Sequence, residues 1–404
     1  SDSPAWVSQP GLSILGCSTP VTRPVLSRAK SWSIITRMAI SQASPSAGSD
    51  PVDLIEWYFE QGWTDGFPVV PPTPAKVDAT IEALGGNADE VEARVPPRWG
   101  TLTREILATN MVMAGCQPAY APVVRTAMLA LCSAHFNLNG VQATTHMAAP
   151  LVVVNGPIRA EIGMNASANV FGSGNRANAT IGRAIRLILL NVGGAWPGDL
   201  DKSTLGHPGK YSFCIAENEQ ASPWAPYHVD QGFGPDDNTV FCIATEGPHS
   251  VTNHVADDPE GVLDSLVSAM STIAHNNAVS SGSCAVVIGP EHASTIAGRG
   301  WTRSDVRRYL WSQTTNTYND ISFNNRYGKI YNRNLPKWYR REAGARIPIV
   351  ATPDDIHLFV SGGEAGRFSA FLPGWGHMTA PVLRAIDGHA PEGRVCCVDG
   401  SCEL

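Results

Sequence analysis

Two short runs constrain the fold of this chain more than any other feature. Leu151-Val152-Val153-Val154 and Ala285-Val286-Val287-Ile288 are wholly aliphatic, and each leads into a Gly-Pro step, Gly156-Pro157 and Gly289-Pro290. Aliphatic residues in unbroken succession, without alternation, suit a strand buried on both faces. Glycine lets such a strand turn out of its sheet, and proline suits the first turn of a following helix. Ile356-His357-Leu358-Phe359-Val360 adds a third strand, closed by Ser361-Gly362-Gly363. A second echo sets Phe213-Cys214-Ile215-Ala216 beside Phe241-Cys242-Ile243-Ala244. The pattern predicts an α/β fold, a mixed sheet with flanking helices, arranged as two pseudo-repeated lobes. The expected divisions are 1–49, 50–200 and 201–404.

Helix signals fill the spaces between these strands. Asp50 caps a helix with Pro51 at its first position, Leu54, Ile55, Tyr58 and Phe59 form one stripe, and Gly62 stops it. Lys76 to Leu84 reads as a short helix closed by Gly85-Gly86, and 102–113 and 121–135 read as further helices. Ile181 to Val192 is the longest apolar candidate, but Arg183 and Arg186 interrupt it. It suits a core helix, well short of the roughly 20 apolar residues that span a bilayer.

Charge and cysteine usage narrow the partners. A net charge of -7 lacks the basic excess of a nucleic-acid binder. The nine cysteines are scattered, and Cys132, Cys214 and Cys242 sit in apolar runs where thiols act as small hydrophobes. That usage predicts reduced thiols and a cytoplasmic protein. From Ser3 to Ser49 no acidic residue occurs, while Arg23, Arg28, Lys30 and Arg37 stand among serines and threonines. This stretch is expected to be an arm that wraps a neighbouring subunit of a homo-oligomer. An organellar transit peptide is the alternative.

Four places could carry chemistry. Phe171-Gly172-Ser173-Gly174-Asn175-Arg176 precedes a helix, with Arg183 two turns further on. Glycine-turned N–H groups and a helix dipole attract anions, so Gly172, Gly174, Arg176 and Arg183 are the expected binding residues for a small anionic substrate. Glu217 and Glu219 follow one Phe-Cys-Ile-Ala strand, and Glu246, His249 and His254 follow the other. Projected into a common space, Glu217, Glu246 and His249 would move protons, and His254 would ligate a metal. His146 and Lys210 join them as secondary candidates. Cys396, Cys397 and Cys402 close the chain within seven residues, a spacing that suits one soft transition metal or a redox pair. Last, Gly362 to Ser369 and Leu372-Pro373-Gly374-Trp375-Gly376-His377 form constrained loops bearing an aromatic and a histidine. Ser369 lacks the Gly-x-Ser-x-Gly surround of a serine hydrolase.

Gly62 to Thr73, Gly172 to Ala184, Gly289 to Leu310 and Gly362 to Gly376 together resemble an uncharacterised bacterial family associated with a selenocysteine-Gly-Ser-Cys motif. Gly400-Ser401-Cys402 matches the last three positions, while Asp399 stands where selenocysteine or cysteine would be. The resemblance implies thiol or selenol chemistry, and Asp399 puts a redox dithiol in doubt. Three functions therefore compete. One is a lyase or hydrolase for a small anionic molecule, with or without a metal. Another is a thiol- or metal-centred redox enzyme using the terminal cysteines. The third is a non-catalytic oligomeric binding module.

Overall fold

The computed structural model describes residues 50–321, 337–376 and 378–386. Helices and strands begin and end where capping chemistry dictates. Asp50 Oδ1 accepts from the Val52 N–H at 2.8 Å, and the Pro51–Gln61 helix stops at Gly62 with φ 69°. Further helices span Pro74–Leu84, Arg104–Ala114, Ala121–Leu131 and Arg176–Asn191. The expected 121–135 helix is shorter than its apolar pattern, because a separate turn, Ala134–Phe136, takes up its end.

The strands are β1 (Val91–Val95), β2 (Gly100–Thr103), β3 (Ala149–Asn155), β4 (Cys214–Ala216), β5 (Thr239–Thr245) and β6 (His249–Thr252). They continue with β7 (Cys284–Ile288), β8 (Thr315–Thr317), β9 (Arg346–Pro348), β10 (Ile356–Val360), β11 (Phe368–Leu372) and β12 (Val382–Ala385). β1 pairs with β2 and β8 with β9, while the rest form two four-stranded sheets ordered β12-β5-β3-β4 and β10-β7-β11-β6. The two all-aliphatic runs, β3 and β7, hold matching places. Each has one parallel neighbour, β4 or β10, and one antiparallel neighbour, β5 or β11. Each antiparallel neighbour then pairs antiparallel with a further strand, β12 or β6.

Alternation along these strands builds four layers. Leu151, Val153, Ile215, Phe241 and Ile243 of the first sheet meet Val287, Phe359 and Leu372 of the second. Val152, Val154, Cys214, Val240 and Cys242 point the other way, onto the Arg104–Ala114, Ala121–Leu131 and Arg176–Asn191 helices. Val286, Ile288, Leu358 and Val360 similarly meet the Pro259–Met270, Pro290–Ala297 and Arg303–Gln313 helices. The order is helix, sheet, sheet, helix. Each such side chain stabilises the fold by roughly 1.5–3 kcal/mol relative to exposure.

Two features of the expected repeat are reassigned. The division near residue 200 cuts through a sheet, because β3 pairs with β4 and β5 from beyond it. A strand buried along its whole length needs partners on both edges, and these come from the later half of the chain. The Phe-Cys-Ile-Ala echo is not a relation between lobes. β4 and β5 flank the same strand in opposite directions, and their likeness reflects one shared demand: cysteine toward the helices, isoleucine and phenylalanine toward the other sheet.

Candidate functional site

Pairing directions decide which chain segments can meet. Antiparallel register sets Ala149 beside Thr245 at one end of the first sheet and Asn155 beside Thr239 at the other. The segment entering β3 and the segment leaving β5 therefore share an end, and His146 and Glu246 lie on them. The exit of β11 joins the same place, since Trp375 N–H donates to Ala244 O at 3.1 Å and Glu246 N–H to Pro373 O at 2.8 Å.

Here His146 Nε2 lies 2.9 Å from Glu246 Oε1. The Ala148 N–H donates to His146 Nδ1 at 3.1 Å, which leaves the ring proton on Nε2 and directs it at the carboxylate. The His146 N–H in turn donates to Thr144 Oγ1 at 3.0 Å. The Asn276 N–H also approaches Glu246 Oε1, at 3.4 Å. Among the described residues no hydrogen bond reaches Glu246 Oε2. The His146 and Glu246 side chains are 20% and 18% exposed, so both are sheltered yet reachable.

Both donors to that carboxylate line a cavity of about 500 Å³. Met147, Leu205, Trp375 and Met378 form its apolar wall, while Thr144, Thr145, Thr204, Asn276 and Ser280 supply polar groups. Trp375 is anchored by its Nε1–H, 3.2 Å from Thr144 Oγ1. It also requires Gly140, where a Cβ would come within 2.7 Å of its Cη2. Among the described residues lining the cavity there is no lysine or arginine, and His146 is the titratable group.

Two neighbouring imidazoles are structural. Burial holds His207 down at about 4, and its Nδ1 accepts the Gly209 N–H at 3.1 Å. Burial also lowers the pKa of His275, whose Nε2 lies 2.8 Å from Met270 O.

The other expected residues are spread over the molecule. Glu217 leaves β4 at the opposite end of the sheet from Glu246, because β4 runs parallel to β3 whereas β5 runs antiparallel. Glu217 is level with Asn155 and Glu246 one step beyond Ala149, so seven residue steps separate them, roughly 20 Å or more. No common space for the two carboxylates exists. Glu217 is fully buried and accepts from Arg303 Nη2, the Asn155 side chain and the Tyr227 and Val360 N–H groups, which leaves it no free oxygen for proton transfer. His249 is exposed at the start of β6, on the Glu246 side, but the imidazole bonded to Glu246 is that of His146. His254 lies beyond the other end of β6, with Nε2 2.9 Å from Thr252 Oγ1 and its ring edge-on to Phe368.

The glycine-rich run is a capped helix start. Asn175 Oδ1 accepts the Asn178 N–H, and Asn169 Nδ2 donates to Ser173 O between the exposed Gly172 and Gly174. Arg176 donates from Nε and Nη2 to Gly115 O. The carboxylate that Arg183 grips with its fork is the protein's own Asp65, at 2.8 Å for both contacts. Cys396, Cys397 and Cys402 lie outside the described residues, as does His377. Among the described residues, no group of three or more histidine, cysteine, aspartate or glutamate side chains is placed to hold a metal. No described helix is long and apolar enough to cross a membrane.

Sequence reasoning ranked His146 below Glu217 and passed over Thr144, Met147 and Asn276. The signal for Thr144 and Met147 was weak, a Thr-Thr-His-Met run just ahead of the most apolar strand, and Asn276 stood in a His-Asn-Asn run without further pattern. No family model, curated protein or solved structure matches the chain.

Proposed function

We propose that this chain is an enzyme that moves protons on a small, uncharged organic molecule through Glu246, with hydrolysis or elimination as the reaction. The observation that carries this reading is a carboxylate with one oxygen bound by an oriented imidazole and the other without a partner among the described residues, its two donors lining the cavity. Oε2 would take a proton from a water attacking a carbonyl, or from carbon next to one. The His146 N–H, held on Oε1, keeps the carboxylate turned for that transfer and stabilises its charge. Hydroxyl and amide groups on the wall would orient the polar end of the substrate, and Trp375, Met147 and Met378 would cover its apolar body. A neutral substrate suits this cavity better than the anion expected from Gly172–Arg183. Among the described residues the lining brings no lysine or arginine, and Glu246 would repel an anion.

Turnover of a panel of small neutral esters, amides and β-hydroxy carbonyl compounds in ¹⁸O-labelled water tests the proposal. Solvent oxygen in the product identifies hydrolysis, and an unlabelled unsaturated product identifies elimination. His146→Ala should lower kcat/KM by about 10²-fold, the lower range for acid–base groups. A preference for dianionic substrates, or full activity in His146→Ala, contradicts the proposal.

A further inference from the structure

One wall of the cavity hangs on a charged knot outside it. Thr204 and Leu205, on that wall, lie between Asp201 and Lys210, and Leu205 is 85% exposed. An exposed leucine gains little from packing, so polar contacts must hold the segment. Lys210 Nζ donates to both oxygens of Asp201, at 2.9 and 2.7 Å, and also to Ser203 Oγ. The Ser203 N–H donates to Asp201 Oδ1 at 2.9 Å. From this knot two bonds cross to the His146 segment. Ser203 Oγ donates to His146 O at 2.8 Å, and the Thr204 N–H donates to Thr145 O at 2.9 Å. The buried Arg186 secures the far side, with its Nε 3.0 Å from Lys210 O.

Donor chemistry gives this arrangement a direction. An ammonium can only donate, so Ser203 Oγ must accept from Lys210 and is left with its own single proton to give. That proton goes to His146 O. The ion pair is sheltered, with side chains 15% and 5% exposed. Burial lowers the pKa of Lys210, with Asp201 opposing. For Asp201 burial acts upward, but the bonds from Lys210 and Ser203 outweigh it and the pKa falls. The two face each other as an ion pair, Nζ to Oδ2 2.7 Å.

We propose that Lys210 is a positioning residue. By setting the Ser203 hydroxyl it orients the His146 peptide, and through it the ring that faces Glu246, while pinning the Thr204–Leu205 wall. The inference rests on the proposed role of the His146–Glu246 pair. Bonds at the His146 N–H and at Nδ1 set that ring from one side, and Ser203 sets the carbonyl from the other.

The test is ¹⁵N NMR of the full chain with labelled histidine, the His146 signals being assigned by their loss in His146→Gln. Wild type should show the Nε2–H tautomer. Lys210→Met paired with Asp201→Asn, which removes both members of the ion pair together, should give a mixture of tautomers. It should also lower protection of the Thr204 amide against hydrogen exchange by about tenfold or more. Ser203→Ala should act in the same direction with the ion pair intact, and Lys210→Arg should restore the wild-type spectrum. A purely structural knot would lower the unfolding midpoint and leave the tautomer alone. A folded double variant, or a folded Ser203→Ala, with an undisturbed tautomer and full Thr204 protection overturns the inference. Failure of the proposed function is read separately, as unchanged turnover in Glu246→Gln, and says nothing about the tautomer in the Lys210 variants.

Discussion

Two glutamates that look alike in sequence, each following a Cys-Ile-Ala strand core, have opposite fates set by the donors around them. Glu217 receives Arg303, an asparagine side chain and two backbone N–H groups in a site with no exposed surface. Glu246 receives an imidazole and one long backbone contact, and among the described residues its other oxygen has no partner. Glu217→Ala removes the buried carboxylate from Arg303 and leaves it only the partly exposed Asp230, 3.0 Å from its Nε. It should cost about 3–5 kcal/mol in urea unfolding, the scale for a broken buried ion pair. An effect under about 1 kcal/mol would show the network to be redundant. Histidines set the acid limb of stability. Burial holds His207 at about 4 and His357 at about 3, below their ordinary 6.5, so the native state keeps both neutral. On acidification the unfolded chain takes up protons first, from about pH 6.5 downward. Stability is therefore full above that pH and falls as pH drops through about 4 and 3. His207→Gln should flatten the slope of unfolding free energy between pH 6.5 and 4, and an unchanged slope contradicts the assignment.

At the scale of elements, starts and stops were legible and partners were not. The residues that begin and end the Pro51–Gln61 helix act locally, so Asp50, Pro51 and Gly62 could be read directly. The Arg176–Asn191 helix was likewise visible, and Asn175 caps it as its position suggests. Asn175→Ala should cost about 1 kcal/mol of stability, measured by thermal unfolding. What the arginines of this helix touch was invisible, because Asp65 and Gly115 lie far away in the chain and no periodicity points to them. A Gly-x-Gly-Asn-Arg run is compatible with an anion cradle or with a capped helix tied to its neighbours, and only tertiary contacts separate these. Arg176→Ala should leave turnover within about twofold of wild type, since a change near 1 kcal/mol would already exceed fivefold. A large rise in KM would restore the anion reading.

For the whole molecule, the buried strands and their Gly-Pro exits foretold an α/β fold, but not which ends of which strands would coincide. Alternation specifies faces, whereas strand direction and neighbour order depend on connections across the entire chain. This is why Glu217 and Glu246 were grouped in sequence and stand roughly 20 Å or more apart along β3. It is also why His146, a secondary candidate in the sequence, is matched to Glu246 only by the β3–β5 register. The interleaving has a direct consequence. Fragments 50–200 and 201–386 should each fail to unfold cooperatively when made alone, because β3 loses both neighbours in one and β4 and β5 lose their shared strand in the other. Independent cooperative folding of either fragment contradicts the interleaved sheet. The central claim is that Glu246, held by His146, is the proton-moving group of the cavity. Comparing kcat/KM and the unfolding midpoint of Glu246→Gln with wild type, on whichever neutral substrate is turned over, tests it most directly. The account predicts a loss of about 10²–10⁴-fold with the midpoint nearly unchanged; full turnover in the folded variant would contradict it.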